Sequence, residues 1–150
     1  MITPQWSIRA ATGLDLNFIY ATWVKSFWSD SECHKGISAE SYFKTYPKVI
    51  DHLLSISKIA IACDNSAPEV FYGYMVAEPP IIHYCFVKEG FRRFGIMRSL
   101  MQRLECGKIF THRTGELKQI LRNHPEYSFN PYLLYTKGDI DYGPTKETTS

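Results

Sequence analysis

The sequence predicts one α/β domain. Three observations carry that reading: short apolar, β-prone runs interleaved with segments of helical periodicity, a strand, basic loop and helix unit over residues 81–105, and an element order of strand, two helices, three strands and helix. A chain of 150 residues buries about two-thirds of its unfolded surface in a single core, so it needs no staples.

Trp6-Ser7-Ile8-Arg9-Ala10 reads as the first strand. Thr12 and Asp15 have the spacing of a capping-box variant. Leu16, Ile19, Tyr20, Trp23, Val24 and Phe27 then recur at three- and four-residue steps, which predicts a helix with a strong core-facing stripe. Residues 29–38 make a loop, and Ser38 caps a second helix from Ala39. Pro47 lacks a donor and clashes with the preceding turn, so a kink or two short helices are expected, with Val49, Ile50, Leu53 and Leu54 on the buried face. Lys58 to Cys63 is a strand, residues 64–68 a turn, and Val70 to Glu78 the partner strand, where Gly73 marks a bulge or a close backbone approach. Pro79-Pro80 separates it from a third strand and completes an antiparallel meander. Gly107 is expected to end the next helix. Ile109-Phe110-Thr111 suggests a strand, Thr114 to Asn123 a helix with few apolar positions, and Phe129 to Tyr135 a final aromatic strand or loop. The domain therefore covers residues 1–135, and residues 136–150 read as a tail without a core of its own.

The unit at 81–105 has the layout of a phosphate cradle. Ile81, Ile82, Tyr84, Cys85, Phe86 and Val87 are the β-prone run, and Ile96, Leu100, Met101 and Leu104 share one helix face. A loop that opens a helix leaves about four N–H donors without intrahelical partners, and the macrodipole adds to their pull on a phosphate. Arg92, Arg93 and Arg98 supply countercharge.

This stretch resembles the GNAT superfamily of acyl-CoA-dependent N-acetyltransferases, whose signature is a strand ending in Val, a turn, and Arg/Gln-x-x-Gly-x-Gly/Ala opening a helix. Here the residues are Val87, then Arg92-Arg93-Phe94-Gly95-Ile96-Met97. Arg92 and Gly95 fit; Arg93 stands where a Gly is common, and Met97 where a small residue is usual. The resemblance covers roughly residues 7 to 112. It implies the GNAT fold, a mixed, mostly antiparallel central sheet with helices on both faces, and acetyl-CoA as cosubstrate. It implies that backbone groups of Tyr84 to Val87, Phe86 and Val87 among them, meet the pantetheine. The loop from Arg92 through Arg93, Phe94, Gly95 and Ile96 to Met97 would hold the pyrophosphate, and Thr111 would stand against the pantetheine. For the base it implies Glu78 or His83, and for the acid a tyrosine late in the chain: Tyr132, with Tyr127 and Tyr135 as rivals. Strand alternation puts His83 on the face of Ile81, Cys85 and Val87, where a hydrogen-bonded core histidine is the alternative. The chain as a whole also resembles small GNAT-like proteins carried by bacteriophages.

Three functions follow. The first is an acetyltransferase acting on a small-molecule amine or a protein amine. The second is a GNAT-like domain without catalysis that binds protein, for which Met97 speaks. The third is a nucleic-acid binder using Arg92, Arg93, Arg98 and Arg103 with Phe91 and Phe94. A net charge of only +2 argues against a dedicated nucleic-acid binder. The cysteines Cys33, Cys63, Cys85 and Cys106 form no Cys-x-x-Cys pair, so no metal site is implied and a reducing cytosol is the expected compartment. No apolar run reaches about 20 residues, so no membrane span is expected. A homodimer stays open.

Overall fold

A computed structural model of the chain describes residues 5–32, 35–105 and 107–136. Cys33, His34, Cys106 and residues 137–150, nearly all of the expected tail, lie outside the described residues.

The first half contains β1 (Trp6–Ala10), a 3-10 turn (Gly13–Asp15), α1 (Leu16–Asp30), α2 (Ala39–Ile56), β2 (Lys58–Asp64) and β3 (Phe71–Glu78). It continues with β4 (Ile81–Val87), a second 3-10 turn (Glu89–Phe91), α3 (Ile96–Leu104), β5 (Ile109–Phe110), α4 (Gly115–Asn123), β6 (Ser128–Phe129) and α5 (Leu133–Thr136). The strands form one sheet in chain order. β1 to β4 pair antiparallel, whereas β4 with β5 and β5 with β6 pair parallel, so the sheet is mixed and mostly antiparallel as expected.

Each face of the sheet carries its own core. On one face Ile19, Trp23 and Val24 of α1 and Tyr42, Ile50 and Leu53 of α2 pack on Ile61, Tyr74, Val76 and Tyr84. On the other, Ile96 and Leu100 of α3 and Leu117 of α4 pack on Ala60, Met75, Ala77 and Ile82. No helix among the described residues is long and apolar enough to cross a membrane.

Local chemistry explains the boundaries. Asp15 accepts hydrogen bonds from the Thr12 backbone N–H at 2.7 Å and its hydroxyl at 3.2 Å, which realises the capping box. Arg9 donates to both Asp15 oxygens, at 2.8 and 3.0 Å, and ties β1 to the start of α1. Ser38 caps α2 by accepting from the Ser41 N–H at 3.1 Å. Gly73 sits at a β-bulge opposite β2 and also against β4, where a Cβ would lie 2.5 Å from the Phe86 carbonyl oxygen.

Three expectations are corrected. Pro47 does not divide the second helix, since α2 is continuous through it. An interior proline costs about 3 kcal/mol. Burial of Tyr42, Ile50 and Leu53 on both sides offsets that at about 1.5–3 kcal/mol per side chain, and the Tyr42 hydroxyl donates to the Val24 carbonyl at 2.7 Å. The third helix ends before Gly107: Glu105, at φ 54°, closes α3 in the left-handed conformation. Gly107 serves the entry of the parallel strands instead, because a Cβ there would stand 2.5 Å from Pro80 Cβ and its N–H donates to the Pro80 carbonyl at 3.1 Å. The stretch from Phe129 to Tyr135 is strand only at its start, and residues 133–136 form a helical turn.

Candidate active site

The site begins where β4 leaves β5. The two strands pair only at Ile81 with Ile109 and Ile82 with Phe110, with one further bond from the Thr111 N–H to the Ile82 carbonyl at 3.1 Å. β4 runs on to Val87, and along that edge residues 83–87 pair with no strand among the described residues. A bulge marks the departure. Val76 faces Tyr84 and Ala77 faces Ile82, which leaves His83 as the extra residue. The bulge corrects the alternation argument for His83: Ile82, Cys85 and Val87 pack toward α3, and Tyr84 and Phe86 toward α1.

A cavity of about 340 Å³ fills the gap on the α3 side. Cys85 and Val87 form its β4 wall, Phe110, Leu117 and Ile120 its opposite wall, and Arg92, Arg93, Gly95, Ile96 and Met97 its mouth. The mouth is held from below, where Phe91 stacks on Tyr72 with centroids 4.1 Å apart. Arg93 and Gly95 both have left-handed backbones, at φ 71° and 91°. The helical ladder of α3 starts with the Ser99 N–H on the Gly95 carbonyl at 3.0 Å, so the N–H groups of Ile96, Met97 and Arg98 lie ahead of it. Arg92 donates from Nε to the Val87 carbonyl at 2.9 Å and lies 3.5 Å from a Glu116 carboxylate oxygen.

A second cavity of about 520 Å³ opens toward α1 and α2. Phe27, Tyr46, Phe129 and Leu134 give it an apolar lining, and Asp30, Arg113 and the ion-paired Glu32 and Lys118 give it charge. His112 and Thr114 belong to the walls of both cavities.

A chain of hydrogen bonds runs to this shared wall. Glu78 Oε1 lies 2.8 Å from His83 Nε2, His83 Nδ1 lies 2.8 Å from Thr111 Oγ1, and Thr111 Oγ1 lies 3.0 Å from His112 Nδ1. His83, Thr111 and His112 are 1%, 2% and 6% exposed. His112 Nε2 is buried and has no hydrogen-bond partner among the described residues. Its ring is surrounded by Phe27, Trp23, Tyr46 and Tyr84 at centroid distances of 5.0, 5.8, 5.8 and 6.2 Å. Burial pushes the His112 imidazole down to about 3, the neighbouring His83 acts in the same direction, and the His83 backbone carbonyl pulls the other way. Tyr84 is pushed up by burial while its hydroxyl pairs with Ser26.

The structure thus joins Glu78, His83 and Thr111, and gathers Val87, Arg92, Arg93, Gly95, Ile96 and Met97 at the first cavity. Phe86 faces α1, Phe94 is absent from the cavity lining, and Thr111 lines the second cavity. Tyr132 is 74% exposed and lines neither cavity; Tyr127 packs on Phe110 at 5.7 Å. Sequence reasoning missed His112. Its only signal in the sequence is a polar Thr-His pair that closes the apolar run Ile109-Phe110.

No protein-family model matches the chain, and no curated protein sequence matches it. Among solved structures, an inferred acetyl transferase from Pyrococcus furiosus has a TM-score of 0.55 at 15% identity, over 97% of this chain and 90% of that one. Apo-form YjaB from Escherichia coli has a TM-score of 0.49 at 19% identity over 69% of this chain. A GCN5-related N-acetyltransferase from Rhodopseudomonas palustris has 0.47 at 18% over 70%. The matches span 65% and 66% of those two chains, just under two thirds of each. The nearly full-length likeness to the Pyrococcus furiosus structure, in a chain whose β4 parts from β5 beneath a helix-opening basic loop, makes this the GNAT fold.

Proposed function

We propose that the chain is an acyl-CoA-dependent N-acetyltransferase that moves an acetyl group from acetyl-CoA to a primary amine, on a small molecule or a protein. The observation that carries this reading is the meeting of two cavities at His112 and Thr114, one leading to the helix-opening loop and the other to an aromatic pocket. A thioester carried from the loop along β4, where it has parted from β5, arrives at that junction, and an amine reaches it from the opposite side. Confinement of both reactants turns the transfer into an effectively unimolecular step.

In this reading, N–H groups at the start of α3, with Arg92 and Arg93, hold the pyrophosphate, and the backbone of residues 84–87, on the edge where β4 has parted from β5, meets the pantetheine. The cofactor supplies the activated acyl group. Glu78 and His83 form the basic pair, and Thr111 belongs to the proton path rather than to the pantetheine contact. Tyr132 is exposed and lines neither cavity, so in this reading water takes the role of the acid. A second reading, a GNAT-like protein-binding module without catalysis, is favoured by one feature: the Glu116 carboxylate stands beside Arg92 at the mouth, where it opposes a pyrophosphate.

Calorimetry with acetyl-CoA tests the proposal, followed by thiol release with a panel of polyamines, amino acids and peptides. Acetyl-CoA at a hundredfold excess over its Kd is expected to stabilise the fold by about 2.7 kcal/mol. Arg92→Ala with Arg93→Ala is expected to weaken intact CoA far more than pantetheine. Absence of binding at millimolar acetyl-CoA overturns the proposal, and binding without transfer to any amine supports the second reading.

A further inference from the structure

Donor and acceptor rules orient the whole chain that ends at His112. An ionised Glu78 only accepts, so the His83 Nε2–H donates to it across 2.8 Å. The Nδ1 of a neutral His83 then carries a lone pair, and the Thr111 hydroxyl donates its single proton there at 2.8 Å. With that proton committed, Thr111 Oγ1 accepts from the His112 Nδ1–H at 3.0 Å. What remains is a bare lone pair on His112 Nε2, buried and unpartnered among the described residues. A buried acceptor without a donor is destabilising, so an N–H brought to this atom by a ligand is stabilising. The titratable groups that face the ring are Tyr46 from α2, Tyr84 from β4 and, through Thr111, His83.

Building on the acetyltransferase reading above, we propose that His112 Nε2 takes the proton released by the acceptor nitrogen, and that Thr111 relays it to His83 beside Glu78. As the amine nitrogen bonds to the thioester carbonyl carbon, the carbonyl π pair moves to oxygen. Collapse restores the carbonyl and breaks the C–S bond, and the thiolate leaves with the electron pair and takes its proton from water. The surplus proton on nitrogen goes to His112 Nε2, the His112 Nδ1 proton to Thr111 Oγ1, and the Thr111 proton to His83 Nδ1. His112 ends neutral in its other tautomer, and the positive charge rests on His83, ion-paired to Glu78. The low affinity of His112 itself for a proton favours this hand-off over storage on the buried ring. His112 is then a catalytic residue, and Thr111 and His83 act through it.

Nitrogen-15 NMR of the labelled chain reads imidazole tautomers without substrate or turnover. Near neutral pH the expected result is Nδ1–H at His112 and Nε2–H at His83, and an Nε2–H at His112 overturns the relay. Thr111→Val removes the hydroxyl and keeps the shape. It is expected to lower kcat by about 10²-fold with acetyl-CoA affinity unchanged and the His112 Nδ1–H kept by the His83 carbonyl, and Thr111→Ser to restore kcat. An unchanged kcat in folded Thr111→Val overturns the relay; if that variant does not fold, the wild-type tautomer measurement decides alone. Failure of the wild type to bind acetyl-CoA refutes the acetyltransferase reading instead, and is seen in a separate titration.

Discussion

Gly73→Ala tests whether the contact between β3 and β4 is limited by backbone atoms. Gly73 faces Val87 across the ladder, at the point where β3 bulges against β2. An added Cβ would stand 2.5 Å from the Phe86 carbonyl oxygen, 3.2 Å from Val87 Cα and 3.3 Å from Val87 Cγ2. Ordinary contact begins at 3.4 Å, so the strands must separate by about 0.9 Å there. The two nearest obstacles are backbone atoms, and no rotamer change relieves them. Overpacking of this kind costs about 1–3 kcal/mol. At about 2–4 °C per kcal/mol for a chain of this size, the melting temperature should fall by about 2–12 °C. Circular dichroism melts measure it, with Gly90→Ala as the control: a Cβ at Gly90 meets nothing within 4 Å, and that variant should stay within about 0.5 kcal/mol of wild type. Because Val87 lines the first cavity, Gly73→Ala should also weaken acetyl-CoA. A Gly73→Ala protein that melts with the wild type refutes the steric argument.

Arg93 holds φ 71° without being glycine. The left-handed conformation costs about 1–2 kcal/mol for such a residue, and glycine's extra unfolded freedom costs about 0.5–1 kcal/mol. Arg93→Gly should therefore exceed Arg93→Ala in stability by up to about 1.5 kcal/mol in urea unfolding, and the reverse order sinks the strain argument. The Arg9 hydrogen bonds hold the Asp15 carboxyl below its usual range. A folded-state pKa below the unfolded one means that this stability is present above about pH 4 and is lost as pH falls through the folded value. Melts across acidic pH should show Asp15→Asn with a flatter acid limb than wild type, at a cost near neutrality of about 1–3 kcal/mol; parallel limbs would show that the pair is not the source.

The fold was legible because its elements announce themselves locally. β1, the cap of α1, Ser38, the bulge at Gly73 and the basic loop each follow from residues within a few positions of the feature. What escaped were effects set by distant contacts. Pro47 stays helical because burial against α1 outweighs its local penalty. Gly107 is required by Pro80, a residue 27 positions earlier that meets it only once β4 and β5 are parallel. β5 was legible in Ile109 and Phe110, whereas β6 is two residues long and owes its pairing to the sheet more than to a β-prone run of its own.

The same division runs through the site, and the bulge at His83 shows why. Without the extra residue, strict alternation would keep Ile82, Tyr84 and Phe86 on one face, yet Ile82 packs toward α3 and the two aromatics toward α1. Both demands are met only if one residue leaves the ladder, and the residue that leaves is a histidine whose two ring nitrogens each share a hydrogen bond with a side chain on a neighbouring segment. The bulge therefore sends Tyr84 and Phe86 to one core and Cys85 and Val87 to the cavity, and it frees His83 from the alternation. One-residue register choices of this kind leave no trace in periodicity, since either parity satisfies an apolar run. His83 and Glu78 were visible as titratable residues on adjacent strands, but their link to Thr111 and His112 depends on where β4 slips against β3, which only the assembled sheet decides.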